Sequence, residues 1–261
     1  MLGWSINLFR IRGIQLALHG SFLLLLAYVA WEGWRGGGLT GAAWSVAILA
    51  AFFTCIVLHE LGHCFTGMHF GIGVRRILLM PIGGMAEFES IPRQPFKELL
   101  MTLAGPAVNF LIAGLLFIGF GLPENVSVWS FANYEASASG FAHLLLHWNL
   151  LMGCFNLAPV FPMDGGRILR ALLAIKLPYV RATFWAATVG KVCAVIAALV
   201  AVFWFQAYLT AFLFGFIFFA GETEYRAVQR RELEDAHWRE MLARFHAAPP
   251  PEPPPLLESS R

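Results

Sequence analysis

Within CIVLHELGHCFTG (55–67) the chain sets two imidazoles, His59 and His63, four residues apart with the carboxylate of Glu60 between them. On an α-helix, positions i and i+4 share a face. Both rings can then offer a lone pair to one zinc ion, and the intervening carboxylate is placed to take a proton from water at that ion. The competing interpretation is that the three groups simply pair with one another between helices. A hydrolytic zinc site generally uses three protein ligands and leaves one position open, so the pair calls for a third. Asp164 is the candidate. It is the only Asp before the C-terminal tail, and it stands in NLAPVFPMDGGR (156–167), where prolines interrupt a helix and glycines let backbones approach closely. Its alternative role is as the N-cap of a helix over residues 168–175.

These groups lie in a strongly apolar chain. Of 261 residues 58% are hydrophobic and 13% charged, with 24 Phe and 9 Trp, and the mean hydropathy is +0.66. That is more apolar side chain than one soluble core can bury, so lipid must take the rest. A net charge of +2 provides no electrostatic footprint for nucleic acid, and the aromatic content excludes disorder. The four cysteines fall in or beside apolar runs and read as buried hydrophobes. Six runs are long enough to span a bilayer, at about 15–32, 41–66, 98–121, 139–158, 182–204 and 205–221, the last two split by a tight turn near Gln206. The expected fold is an all-α polytopic membrane protein, residues 1–221, followed at 222–261 by a charged cytoplasmic helix and a Pro-rich tail.

The first apolar run has no convincing cleavage site after it and reads as a mature helix. Lys and Arg alternate between the two sides. Arg10 and Arg12, Arg75 to Lys97, Arg167 to Arg181 and the tail share one side, and only Arg35 falls on the other, which predicts that both termini are cytoplasmic. His59, His63 and Asp164 then all come out near the cytoplasmic end of their spans. Lys191, inside a span, reads as snorkelling to that face.

Residues 74–88 (VRRILLMPIGGMAEF) are too short and too interrupted to cross as a helix, and they read as a membrane-associated strand or hairpin dipping toward the active site. Its edge could hydrogen-bond an extended substrate, with Gly83 and Gly84 allowing close approach; an interfacial loop is the alternative. Asn109 and Asn149 read as hydrogen-bonded ties between helices. His143 and His147 repeat the i, i+4 spacing, but without a carboxylate between them and about 25 Å along a helix from Asp164, so no second metal site is expected.

With HELGH at 59–63, FGI at 70–72, PIGG at 81–84, AGPAVNF at 104–110 and FNLAPVFPMDGGRILRA at 155–171, the chain resembles the site-2 protease family of intramembrane zinc metalloproteases. The resemblance implies one Zn2+ held by His59, His63 and Asp164, with Glu60 as general base. It also implies that Asn156 lies by the zinc and helps to position substrate or stabilise the oxyanion. The expected activity is hydrolysis of a peptide bond in or near the transmembrane segment of a membrane-protein substrate, in the lipid bilayer of a bacterial or archaeal cell, as in regulated intramembrane proteolysis. The rival class is a non-enzymatic membrane protein, either a metal transporter or a pseudo-protease scaffold. A transporter should carry a polar relay across the whole bilayer, and a scaffold should have lost Glu60; the sequence has neither feature.

Overall fold

The computed structural model describes residues 4–90, 92–122 and 137–247. Two strands, β1 (Ser5–Ile11) and β2 (Ile14–His19), open the fold and lead into α1 (Ser21–His69). A second hairpin follows, β3 (Val74–Met80) and β4 (Gly83–Phe88). Five helices complete the chain: α2 (Pro95–Phe120), α3 (Ala138–Asn156), α4 (Asp164–Ala174), α5 (Tyr179–Phe203) and α6 (Tyr208–Ala247). The Pro-rich end expected after residue 247 lies outside the described residues.

As one straight rod the 49 residues of α1 would reach about 70 Å, more than twice the hydrocarbon core of a bilayer. The helical geometry breaks at Gly37 and Gly38, where φ is +60° at Gly38. There the helix doubles back: the rings of Phe22 and Phe53, 31 residues apart in sequence, meet edge to face at 4.6 Å between centroids. Near the bend a Cβ on Gly33 would fall 2.6 Å from the Gly41 carbonyl oxygen, so only glycine lets the two arms come this close.

The four strands form one sheet in the order β1-β2-β3-β4. Both hairpins are antiparallel, while β2 and β3 pair in parallel, with Leu16 opposite Ile77 and Leu18 opposite Leu79. The doubled-back α1 makes the crossover between those two parallel strands. Ile14, Leu16, Ile77 and Leu79 from the sheet pack with Phe22, Phe53, Ile56, Leu61 and Cys64 of α1 into the main apolar core. The sheet also gathers Arg10, Arg12, Arg75 and Arg76 at one end of the helices; Arg76 pairs with Glu87 at 2.8 Å across β3 and β4. That carboxylate raises the Arg76 pKa.

Residues 74–88 form a hairpin, as expected, with β4 at the sheet edge. Two expectations need correction. The first helix starts at Ser21 rather than near residue 15, because 14–19 is a strand; a short, largely apolar strand in mid-sheet that leads into an apolar helix has the same hydrophobic signature as the start of that helix. The β element is accordingly a four-stranded sheet and not one short hairpin. Three helices among the described residues, α1, α2 and α5, are long and apolar enough to cross a membrane. Between α5 and α6 the chain turns at Gln206, whose φ is +52°, where the sequence predicts a turn. After Gly221, α6 continues without a break to residue 247.

Candidate metal centre

His59 and His63 project from the C-terminal arm of α1 onto one face and are both buried, at 5% and 7% exposure. Their ring orientations are set by α2. The Nδ1 of His63 lies 2.8 Å from the carbonyl oxygen of Met101, which can only accept, so Nδ1 carries the proton and donates. The Nδ1 of His59 lies 2.5 Å from Oδ1 of Asn109. Asn109 in turn donates its Nδ2 to Oδ1 of Asn149 at 2.9 Å, which leaves its own Oδ1 as the acceptor from His59. In the neutral ring, the form that binds a metal, each Nε2 therefore holds a bare lone pair.

Those two Nε2 atoms are 3.1 Å apart. Asp164 Oδ2 stands 3.2 Å from one and 3.1 Å from the other. The residue opens α4, yet no side-chain bond caps that helix, so the cap role is not the one it adopts. Its Oδ2 is buried and has no hydrogen-bond partner. Three acceptors thus converge with no proton between them, an arrangement that repels itself until a cation is shared. Ligands at about 2.0–2.1 Å around a tetrahedral ion stand about 3.3 Å apart, close to the spacing of this triangle. The donor set, two imidazoles and a carboxylate, is one that zinc accepts. Among the described residues it is the one group of three His, Cys, Asp or Glu able to hold a metal ion. The ion would also meet the orientation that outer hydrogen bonds give to metal-binding histidines.

Glu60 follows His59 by one residue, about 100° around the helix, and so faces elsewhere. Its Oε2 accepts the backbone N–H of Ala86 on β4 at 3.2 Å. A Cβ on Gly84 would come within 2.9 Å of both Glu60 Cγ and Ile56 Cγ2, so the edge strand lies directly on the carboxylate's stem. Gly83 has a φ of +138°, a conformation that side chains disfavour, and it opens β4 out of the turn. Asn156 is the last residue of α3, half-buried, eight positions before Asp164.

Asn109 is an interhelical tie, as its place in the sequence suggests, and one of its partners is a candidate metal ligand. The signal available was an Asn one turn after Gly105 in AGPAVNF. A Cβ on Gly105 would collide with Nε2 of both His63 and His59, so this glycine is what lets α2 lie against the imidazoles. Met101, Gly105 and Asn109, each four residues apart, form the stripe of α2 that meets the site. His143 instead reaches the carbonyl oxygen of Phe120 at 3.2 Å, and no second metal group forms around it or His147 among the described residues.

A membrane-type helical protein with a buried His, His, Asp metal triad and a neighbouring carboxylate is the class that fold and site define. The sequence profile of peptidase family M50 matches residues 47–200, which carry all of these groups, and the chain belongs to that family. It is 36% identical over 228 residues to a zinc metalloprotease of Methanocaldococcus jannaschii, covering 87% of this chain and 62% of the relative. It is 28% identical over 147 residues to the stage IV sporulation protein FB of Bacillus subtilis, covering 56% of this chain and 46% of that one. The chain thus spans less than two thirds of either relative's length. The solved structure of a site-2 protease from Methanocaldococcus jannaschii superposes with a TM-score of 0.58 at 33% identity, covering 85% of this chain and 95% of that one.

Replacing Asn109 with Leu should free His59 Nδ1 and weaken zinc binding by roughly 10- to 100-fold. Competition with a chromogenic chelator measures this, and unchanged affinity would remove Asn109 from the site.

Proposed function

We propose that the chain is an intramembrane zinc metalloprotease that hydrolyses a peptide bond in or near the transmembrane segment of another membrane protein, as a step of regulated intramembrane proteolysis. The observation that carries this is the convergence of three proton-free ligand atoms beside a carboxylate that is itself held by an edge strand. His59, His63 and Asp164 are the proposed zinc ligands. Bound there, zinc supplies Lewis acidity, polarising the scissile carbonyl and making water acidic enough to attack at neutral pH. Glu60 takes the proton of the attacking water and returns it to the leaving amine. Its bond from Ala86 holds one carboxylate oxygen and leaves the other to receive that proton. Asn156, a side-chain amide at the end of α3, is proposed to donate to the substrate carbonyl as it gains negative charge.

A transmembrane substrate helix keeps its carbonyls in i to i+4 bonds and has to unwind before attack. The edge of β4 can take up the unwound segment through main-chain hydrogen bonds, along Gly83 and Gly84. The proposed topology has six spans: the two arms of α1, then α2, α3, α5 and the first half of α6. Both termini lie in the cytoplasm of a bacterial or archaeal cell, and residues 222–261 form a cytoplasmic tail. The clustering of Arg10, Arg12, Arg75 and Arg76 at the sheet end supports that orientation.

Glu60→Gln should retain zinc and lose at least about a hundredfold in cleavage of a model membrane substrate; near-normal turnover would exclude Glu60 as base. Gly84→Val should drive a side chain into Glu60 and Ile56, lowering turnover with zinc content intact. Wild-type enzyme should cut substrates with Gly, Asn or Pro near the scissile bond faster than Leu-rich ones. Equal rates for both substrate series and no effect of the valine would eliminate strand addition at β4. Single cysteines at position 93 and in the tail should resist impermeant reagents in intact cells while one at position 126 reacts; the opposite pattern would invert the topology.

A further inference from the structure

Among the described residues Arg170 is the largest fully buried side chain, at 0% exposure, and no catalytic step uses it. Its Nε and Nη2 donate to Glu98 Oε1 of α2, at 2.9 and 2.5 Å. Its Nη1 donates to Glu224 Oε1 of α6 at 2.6 Å. The guanidinium lies over the rings of Phe161 and Tyr179, 5.3 and 5.1 Å from their centroids. Tyr179, the first residue of α5, donates its hydroxyl to the same Glu98 oxygen at 3.3 Å. One guanidinium thus joins α2, α4, α5 and α6.

Where this node sits gives it a role. Arg170 is six residues after Asp164 on the short helix α4, about 9 Å along the axis. Glu98 is seven residues before Gly105 on α2, about 10 Å along, and Gly105 lies against both imidazoles. The two helices therefore meet twice at matching separations, once at the metal triangle and once at the charged node. On its other side α4 is constrained by Gly165 and Gly166, which pack on the backbone of 157–161 and leave no room for a Cβ. With its start held there, the rotation and advance of α4 that aim Asp164 depend on the grip at Arg170. One of the three hydrogen bonds of that grip comes from α6, whose polar part also binds Lys191 through Glu222 at 2.7 Å and Arg93 through Asp235 at 2.6 Å.

We propose that Arg170 is a positioning residue of the metal centre, and that Glu224 makes the aim of Asp164 depend on the docking of the polar half of α6. The proposal rests on the metal assignment above. Removing the Glu224 carboxylate leaves Nη1 of the buried guanidinium without its hydrogen-bond partner, with Glu98 alone holding the charge, and the helix that bears the Arg shifts to recover solvent or another partner.

The test is cobalt(II) binding to the full chain purified in detergent, read by visible absorption, which reports ligand geometry, and by titrated affinity. Asp164→Ala marks the signature of a lost ligand. Glu224→Gln and Arg170→Lys should each weaken cobalt binding roughly tenfold and shift the visible bands. Glu224→Asp should recover part of both, and Glu240→Gln, an exposed pair with Arg244 further along α6, should match wild type. A merely structural node would lower the melting temperature while the folded protein kept wild-type bands and affinity, and that result overturns the proposal. Should Arg170→Lys fail to fold, the partly exposed Glu224 decides. Wild-type protein that binds no cobalt would overturn the metal assignment and this proposal with it; wild-type binding with an unaffected Glu224→Gln overturns this proposal alone.

Discussion

Two imidazoles and a carboxylate turned on one another in an apolar helical interior are the constraint that the rest of the structure answers. Each polar atom there costs several kcal/mol if left without a partner, and bare acceptors at 3.1–3.2 Å oppose one another as well. The outer nitrogens are satisfied by α2, through a backbone carbonyl at Met101 and an amide at Asn109. The inner atoms are left for a cation. Asn109 is in turn held by Asn149 of α3, whose Nδ2 donates to the Leu145 carbonyl oxygen at 2.8 Å. A chain of bonds thus runs from the α3 backbone to Nδ1 of His59, and it fixes a tautomer as well as an orientation.

The C-terminal arm of α1 serves two neighbours at once because His59 and Glu60, adjacent in sequence, point about 100° apart. The histidines face α2 and α4, while the carboxylate faces the sheet. Such crowding is possible only where side chains are missing. Gly62 lies against the Ala104 backbone, Gly105 against the imidazoles, Gly84 against Glu60, and Gly165 and Gly166 against the loop before α4. Gly62 and Gly105 open the interface of this helix arm with α2, and Gly84 its interface with β4, so the site is assembled by close backbone approach and not by large interlocking side chains. The sheet adds a rigid frame: β3 is paired on both sides, and β4 keeps one free edge beside the carboxylate.

Much of the chemistry was already legible in the residue order. The i, i+4 histidines are brought together by one helical turn, so no tertiary information is needed to pair them, and Asp164 stood out as the only Asp before the tail, in a segment broken by prolines and glycines. The hairpin at 74–88 was visible because Pro81, Gly83 and Gly84 interrupt its apolar run. Strand β2 was not, since its four apolar residues, Ile14, Leu16, Ala17 and Leu18, run almost directly into the apolar start of a helix. The fold-back of α1 was foreseen as two separate spans, but that they pack as one hairpin depends on contacts such as Phe22 with Phe53. What only the tertiary structure decided is which residues serve the histidines and which hold α4. Asn109 and Met101 come from 50 and 38 residues away, and Glu98 reaches Arg170 across 72. Spacing along the chain records local geometry; it carries no trace of partners that meet only when separate helices pack.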